Sequence, residues 1–190
     1  MNNSEVDAIK GMIEKYKESR PRLTILIMGP GKDNKGDYAQ KCYKKRCQIE
    51  SFLAKKRHTA LFPEVLHEEA KTKGDDVPSI IAFEKNLIEQ SNQVIMLLIP
   101  KAPGLKAELD IFSSKPECAT KIHLYYDYGH NIPWHVKNAI DLIEGSGGKT
   151  EEFCRKDIER CSLLAKIGVR IDQMVSAISM LPHKKYQGIE

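Results

Sequence analysis

Long apolar runs are missing from this chain of 190 residues. The longest, at 94–99, falls far short of the roughly 20 residues that cross a bilayer, so no membrane-spanning role is expected. Cysteine is sparse and odd in number. Five cysteines argue against a disulfide framework, and neither Cys42 with Cys47 nor Cys154 with Cys161 has the Cys-x-x-Cys spacing of a zinc knuckle. They read as reduced thiols of an intracellular protein, and no metal site is expected. Charge of one sign is not in large excess: a net +4 is too small to imply a nucleic-acid partner. No aromatic series among the basic residues supports a single-strand stacking surface. Internal repeats and low-complexity tracts are absent. The opening Met-Asn-Asn-Ser-Glu-Val-Asp has no apolar signal core, which makes the cytoplasm the expected location.

What is present is ordinary for a globular chain. Hydrophobic residues at 41% suffice to bury one core, so one domain, or one with a helical appendage, is expected. The spacing of Val6, Ile9, Met12, Ile13 and Tyr16 predicts a helix within 1–20. Apolar runs at 23–28 and 94–99 read as buried parallel strands, with further strands at 58–65 and 121–126. Helices are expected at 38–56 behind an Asp37 cap, at 80–90, from about 104, and from Pro133-Trp134 to about 143. Residues 66–77 read as a charged loop. Gly145-Ser146-Gly147-Gly148 reads as a flexible break between the sheet domain, 21–145, and a helical extension, 150–182, packed on that domain or on a second subunit. Strands alternating with helices predict an α/β fold with a mostly parallel sheet.

Several motifs fall at the C-terminal ends of the predicted strands, the edge where open α/β sheets bind ligands. Gly29-Pro30-Gly31 follows the first strand and lets backbone approach a ligand. It completes neither phosphate-loop fingerprint: Asp37-Tyr38 stand where Lys-Ser/Thr is needed, and Asp33-Asn34 break Gly-x-Gly-x-x-Gly. Pro103-Gly104 opens the helix after the core strand. Within it Glu108 is in phase with Leu105, Leu109 and Phe112, where a purely structural helix would place an apolar residue. Glu84 is in phase with Ile80, Ile81, Leu87 and Ile88, so it turns inward and needs a partner or a ligand. The basic run Lys41, Lys44, Lys45, Arg46 reads as a solvated helix face that draws anions to the pocket mouth. His130, after Asp127-Tyr128-Gly129, is a candidate proton carrier, and Trp134 a residue packing at the start of its helix.

Together these residues resemble the nucleoside 2-deoxyribosyltransferase family and the related nucleoside and nucleotide N-glycoside hydrolases. These share a flavodoxin-like, Rossmann-like three-layer core and a similarly placed glutamate with the NAD-cleaving TIR domains. The resemblance spans about 22–130. Its motifs are Ile27-Met28-Gly29-Pro30, then Glu84, Ile88, Ser91 and Asn92, then Gly104 with Glu108-Leu109-Asp110. Glu84 replaces the usual Asp, Asn92 replaces an Asp, and Asp110 replaces a Gly. The Phe-aliphatic-Ser-Tyr/His strand end of TIR domains is absent, which places the chain nearer the transferases.

The resemblance implies cleavage or transfer of an N-glycosidic bond on a nucleoside, a nucleotide or NAD. NAD would then be a substrate, and no cofactor is expected. Glu108 would be the nucleophile and Glu84 the acid that holds or protonates the base. Gly29, Pro30, Gly31, Asn92, Pro103, Gly104 and His130 would line the substrate. Relatives often complete the pocket across a subunit interface, so a homo-oligomer is expected. Two other classes stand beside this one. The three departures suit a non-catalytic nucleotide sensor that signals through oligomerisation or a partner, and a structural subunit would bind no small molecule at all.

Overall fold

The computed structural model describes residues 20–100, 102–129 and 131–180. The expected helix at 1–20 therefore lies, but for Arg20, outside the described residues, as does His130. Five strands form one sheet: β1 (Thr24–Met28), β2 (Thr59–Leu61), β3 (Gln93–Leu98), β4 (Ile122–Tyr126) and β5 (Lys149–Glu152). Their order is β2-β1-β3-β4-β5 and every pair is parallel, with Ile27 beside Ile95 and Ile95 beside His123. This is a doubly wound α/β fold. Its central strands are mostly apolar because helices cover both faces, and all six residues of β3 are buried.

The helices are α1 (Asp37–Lys55), α2 (Pro63–Thr72), α3 (Ile80–Gln90), α4 (Pro103–Ser113), α5 (Pro116–Ala119), α6 (Trp134–Gly145), α7 (Arg155–Glu159) and α8 (Ser162–Met180). In α1 the buried positions Ala39, Cys42, Arg46, Ile49 and Leu53 recur at helical spacing, which sets the face turned to the sheet. α3 begins where Ser79 accepts a bond from the Ala82 amide, and Pro103 opens α4 at a position whose N–H has no helical partner. One layer joins α1 to α7, and a second links α2, α3, α5, α4 and α6 in a continuous row.

Four expectations change. The strand at 58–65 ends at Leu61, because Pro63 starts a helix instead of merely stopping a strand. That helix, α2, occupies much of the expected loop at 66–77. The Gly-rich stretch at 145–148 is no flexible break: it turns α6 into β5, so the sheet continues past residue 145. A Cβ on Gly148 would lie 2.3 Å from the Ala119 carbonyl and 2.6 Å from Ile143 Cγ2, so this glycine marks close packing. The helical extension expected at 150–182 opens instead on the end of β5, and two helices, α7 and α8, follow it.

The chain divides into two compact units, one spanning Leu23–Ala165 and the other Met1–Arg22 with Lys166–Glu190. In the second, Arg20 pairs with Asp172 at 3.2 Å. Among the described residues no helix is long and apolar enough to cross a membrane.

Candidate functional site

Strand order reverses between β1 and β3, and the chain leaves these two neighbours toward α1 and α4. The crevice outside their C-terminal ends is where doubly wound proteins bind ligands. Here it holds a cleft of about 260 Å³. Gly29, Pro30 and Gly31 line it from β1, Pro103, Gly104 and Glu108 from α4, Glu84 from α3 and Glu64 from α2. Seven of the nine residues singled out in the sequence thus meet in one concavity.

Gly29 is required by space. A Cβ there would lie 3.0 Å from Arg46 Cδ and 3.3 Å from Leu97 Cβ. Arg46 cannot yield readily, since both terminal nitrogens of its guanidinium are pinned. Nη1 donates to the Gly29 and Pro30 carbonyls, both at 3.0 Å, and Nη2 donates to the Ile27 carbonyl at 2.7 Å. The same group clasps Glu64, with Nη1 at 2.7 Å from Oε1 and Nη2 at 3.1 Å from Oε2, and lies 4.7 Å from the Phe62 ring centre. Arg46 is fully buried and Lys45 nearly so. The basic run is therefore only partly a solvated face, and its fourth member is the brace of the Gly29–Pro30 turn.

Glu84 is 3% exposed, and its Oε2 has no hydrogen-bond partner. Burial first, then the charges of Glu108 and Glu64, raise its pKa from 4.5 to about 8, against the pull of Arg46. Burial and then Glu64 raise Glu108 from 4.5 to about 7, again opposed by Arg46. The inequality has a simple sense. Glu108 ionises first, and its charge then holds the proton on Glu84. Near neutral pH the pair carries about one proton, so one carboxyl can donate while the other attacks. The Glu108 carboxylate folds back along α4, its Oε1 4.0 Å from the Cβ position of Gly104.

The remaining expectations resolve differently. Asn92 lies at the opposite rim, before β3, where its Oδ1 accepts the Thr24 amide at 2.7 Å. It joins two strands and does not line the cleft. Asp127 ends β4 and accepts a hydrogen bond from the Tyr38 hydroxyl. Trp134 opens α6 but is 80% exposed, so it does not pack there. Glu64 and Arg46 went unassigned to the site. Arg46 was findable as a cation in phase with Cys42, Ile49 and Leu53, and Glu64 as the first acid after a strand end. A wider groove of about 1090 Å³, lined by Tyr43, His67 and Lys71 among others, shares Glu64 and Ile80 with the cleft. Among the described residues no three His, Cys, Asp or Glu side chains are grouped to hold a metal ion.

The fold and site define a class: a doubly wound, five-stranded α/β protein with an acidic cleft at its switch point. Compared with known proteins, the chain matches no family model and no curated protein.

Proposed function

We propose that this cleft cleaves, or transfers across, the N-glycosidic bond of a nucleoside, a nucleotide or NAD, in the manner of the nucleoside 2-deoxyribosyltransferase-like enzymes. The observation that carries the reading is a pair of glutamates, Glu84 and Glu108, with unequal proton affinities in one small cleft beside Gly29. In this reading Glu108 attacks the anomeric carbon through a carboxylate oxygen while the C–N bond breaks, by way of an oxocarbenium-like transition state. Glu84 gives its proton to the departing ring nitrogen. Water then attacks the glycosyl ester, Glu84 takes a proton from it, and Glu108 leaves as the carboxylate. A second base in place of water gives transfer. Nicotinamide leaves NAD already neutral, so that substrate has no need of the proton.

At about 260 Å³ the cleft lies below the usual size of small-molecule pockets, suited to a sugar, and the adjoining groove offers room for the rest of the molecule. A cytoplasmic location and a homo-oligomer whose neighbouring subunit completes the pocket belong to the same proposal.

Purified protein incubated with NAD and a nucleoside panel tests it, with free base read by chromatography. Base is expected from at least one substrate, and Glu108→Gln is expected to lower the rate by orders of magnitude. Glu84→Gln is expected to cost about 10²–10⁴-fold on a neutral base and far less on NAD. Binding without base release makes the cleft a nucleotide sensor. Full activity in Glu108→Gln overturns the reading.

A further inference from the structure

We infer that Asn34 reads the base, and that this base carries an amino group beside the ring nitrogen that Glu84 protonates, as adenine does at N6 and N7. On the proposed N-glycosidic chemistry, on which this rests, the substrate class narrows to 6-aminopurine nucleosides and nucleotides.

Asn34 lines the cleft from the loop between β1 and α1. Among the described residues of that lining, it alone carries an uncharged hydrogen-bonding side chain. The loop that holds it is tied to itself and to α1. The Asn34 amide donates to the Gly31 carbonyl at 3.2 Å, and Gln40 Nε2 donates to the Lys32 and Asn34 carbonyls, both at 2.7 Å. The carboxamide folds back over Gly31. Its Nδ2 donates to the Gly31 carbonyl over a long 3.5 Å, and would lie 3.7 Å from a Cβ on that glycine. With the nitrogen turned to a carbonyl, the oxygen is turned away from it. A flip of the amide would set Oδ1 against the Gly31 carbonyl, acceptor against acceptor. Among the described residues Oδ1 accepts no hydrogen bond.

Glu84 and Asn34 stand where the cleft meets the groove. Ile80, one helical turn before Glu84, lines both cavities, and Lys32 and Asp33, just before Asn34, line the groove. With the anomeric carbon at Glu108, the base lies on that side and meets two groups of opposite kind. Glu84, when protonated, donates, and Asn34 Oδ1 accepts. Adenine offers the matching pair, N7 as acceptor and the N6 amino group as donor. Guanine offers acceptors at both N7 and O6, and hypoxanthine does the same. Either would place O6 against Oδ1 with no proton between them.

The test is calorimetry with adenosine, inosine and 7-deazaadenosine, in mildly acidic buffer that keeps Glu84 protonated. The proteins are the Glu108→Gln variant, which keeps ligands intact, and the same variant carrying Asn34→Leu or Asn34→Asp. Adenosine is expected to bind about 10-fold more tightly than inosine, the scale of one net hydrogen bond. Asn34→Leu is expected to erase that ratio by weakening adenosine alone. Asn34→Asp, which keeps an acceptor in place, is expected to retain it. 7-Deazaadenosine has the amino group but lacks N7, and is expected to bind less tightly than adenosine in all three proteins. Equal binding of adenosine and inosine overturns the inference, as does equal weakening of both by Asn34→Leu, full affinity for 7-deazaadenosine, or no binding by any of the three. The comparison of adenosine with inosine needs no change at Asn34, so it decides the matter even if a variant folds poorly. Base release by the wild-type protein is scored separately. Amino-dependent binding without release ends the glycosidase reading and leaves Asn34 in its role. Equal binding of adenosine and inosine with release from both does the reverse.

Discussion

Arg46 donates to three backbone carbonyls and to Glu64 from a position with no solvent access. Arg46→Ala leaves these groups without a donor and opens a cavity behind Gly29. Breaking a buried charged network in this way costs about 3–5 kcal/mol. Urea unfolding is expected to show that loss, and Arg46→Lys is expected to recover only part of it, since an ammonium cannot reproduce the fork. Glu84 predicts a pH effect of definite sign. Its pKa is raised from 4.5 to about 8 on folding, so between these values the folded state keeps a proton that the unfolded chain has released. Its contribution to stability is thus full below about pH 4.5 and is lost as pH rises through about 8. Glu84→Gln removes the penalty. Its stability relative to wild type is expected to rise from about pH 5 to about pH 9 by up to a few kcal/mol, as read by unfolding at each pH. A constant difference would deny that Glu84 is buried and strained. The inward turn of Glu84 and Glu108 was legible from helical phase alone. The clasp between Arg46 and Glu64 was not, because it joins two elements whose proximity only the tertiary fold creates.

The turn from α6 into β5 shows where pattern reading failed. Gly145 to Gly148 look like a linker by composition, yet Gly148 is held against the Ala119 and Ile122 carbonyls and the Ile143 side chain. Gly148→Ala is expected to destabilise by several kcal/mol, since two of its nearest neighbours are backbone that cannot rotate aside. Gly145→Ala, whose Cβ meets nothing within 4 Å, is the control and is expected to be near neutral in thermal unfolding. The strand that follows, Lys149–Glu152, has no apolar run because it is an edge. α2 was missed for a related reason: its buried residues are Pro63 and His67, the latter bonded to the Pro78 carbonyl at 3.0 Å. Elements that bury aliphatic side chains, β1, β3, α3 and α4, were legible nearly to the residue. So was α1, expected at 38–56, although it buries Lys45 and Arg46, whereas α2 and β5, which bury almost no aliphatic side chain, were not.

Across the whole molecule, the position of the cleft follows from topology. A β2-β1-β3-β4-β5 order puts the switch point between β1 and β3, and both glutamates stand on helices flanking β3. Residues 84 and 108 are separated by a full strand, yet the parallel crossovers return both to one rim. Asn92, within the same segment, falls on the other rim because it precedes β3 instead of following it. A sequence reading that ranks residues by motif cannot see this difference, whereas one that assigns each to a strand end can.

The chemistry depends on Glu84 and Glu108 sharing about one proton at neutral pH, and carbon-13 NMR titration of the glutamate carboxyls observes that directly. Two resonances are expected to titrate near pH 7 and near pH 8, and Glu108→Gln is expected to lower the Glu84 midpoint by removing its charged neighbour. Titration of both carboxyls near 4.5, or a Glu84 midpoint unmoved by Glu108→Gln, would contradict it.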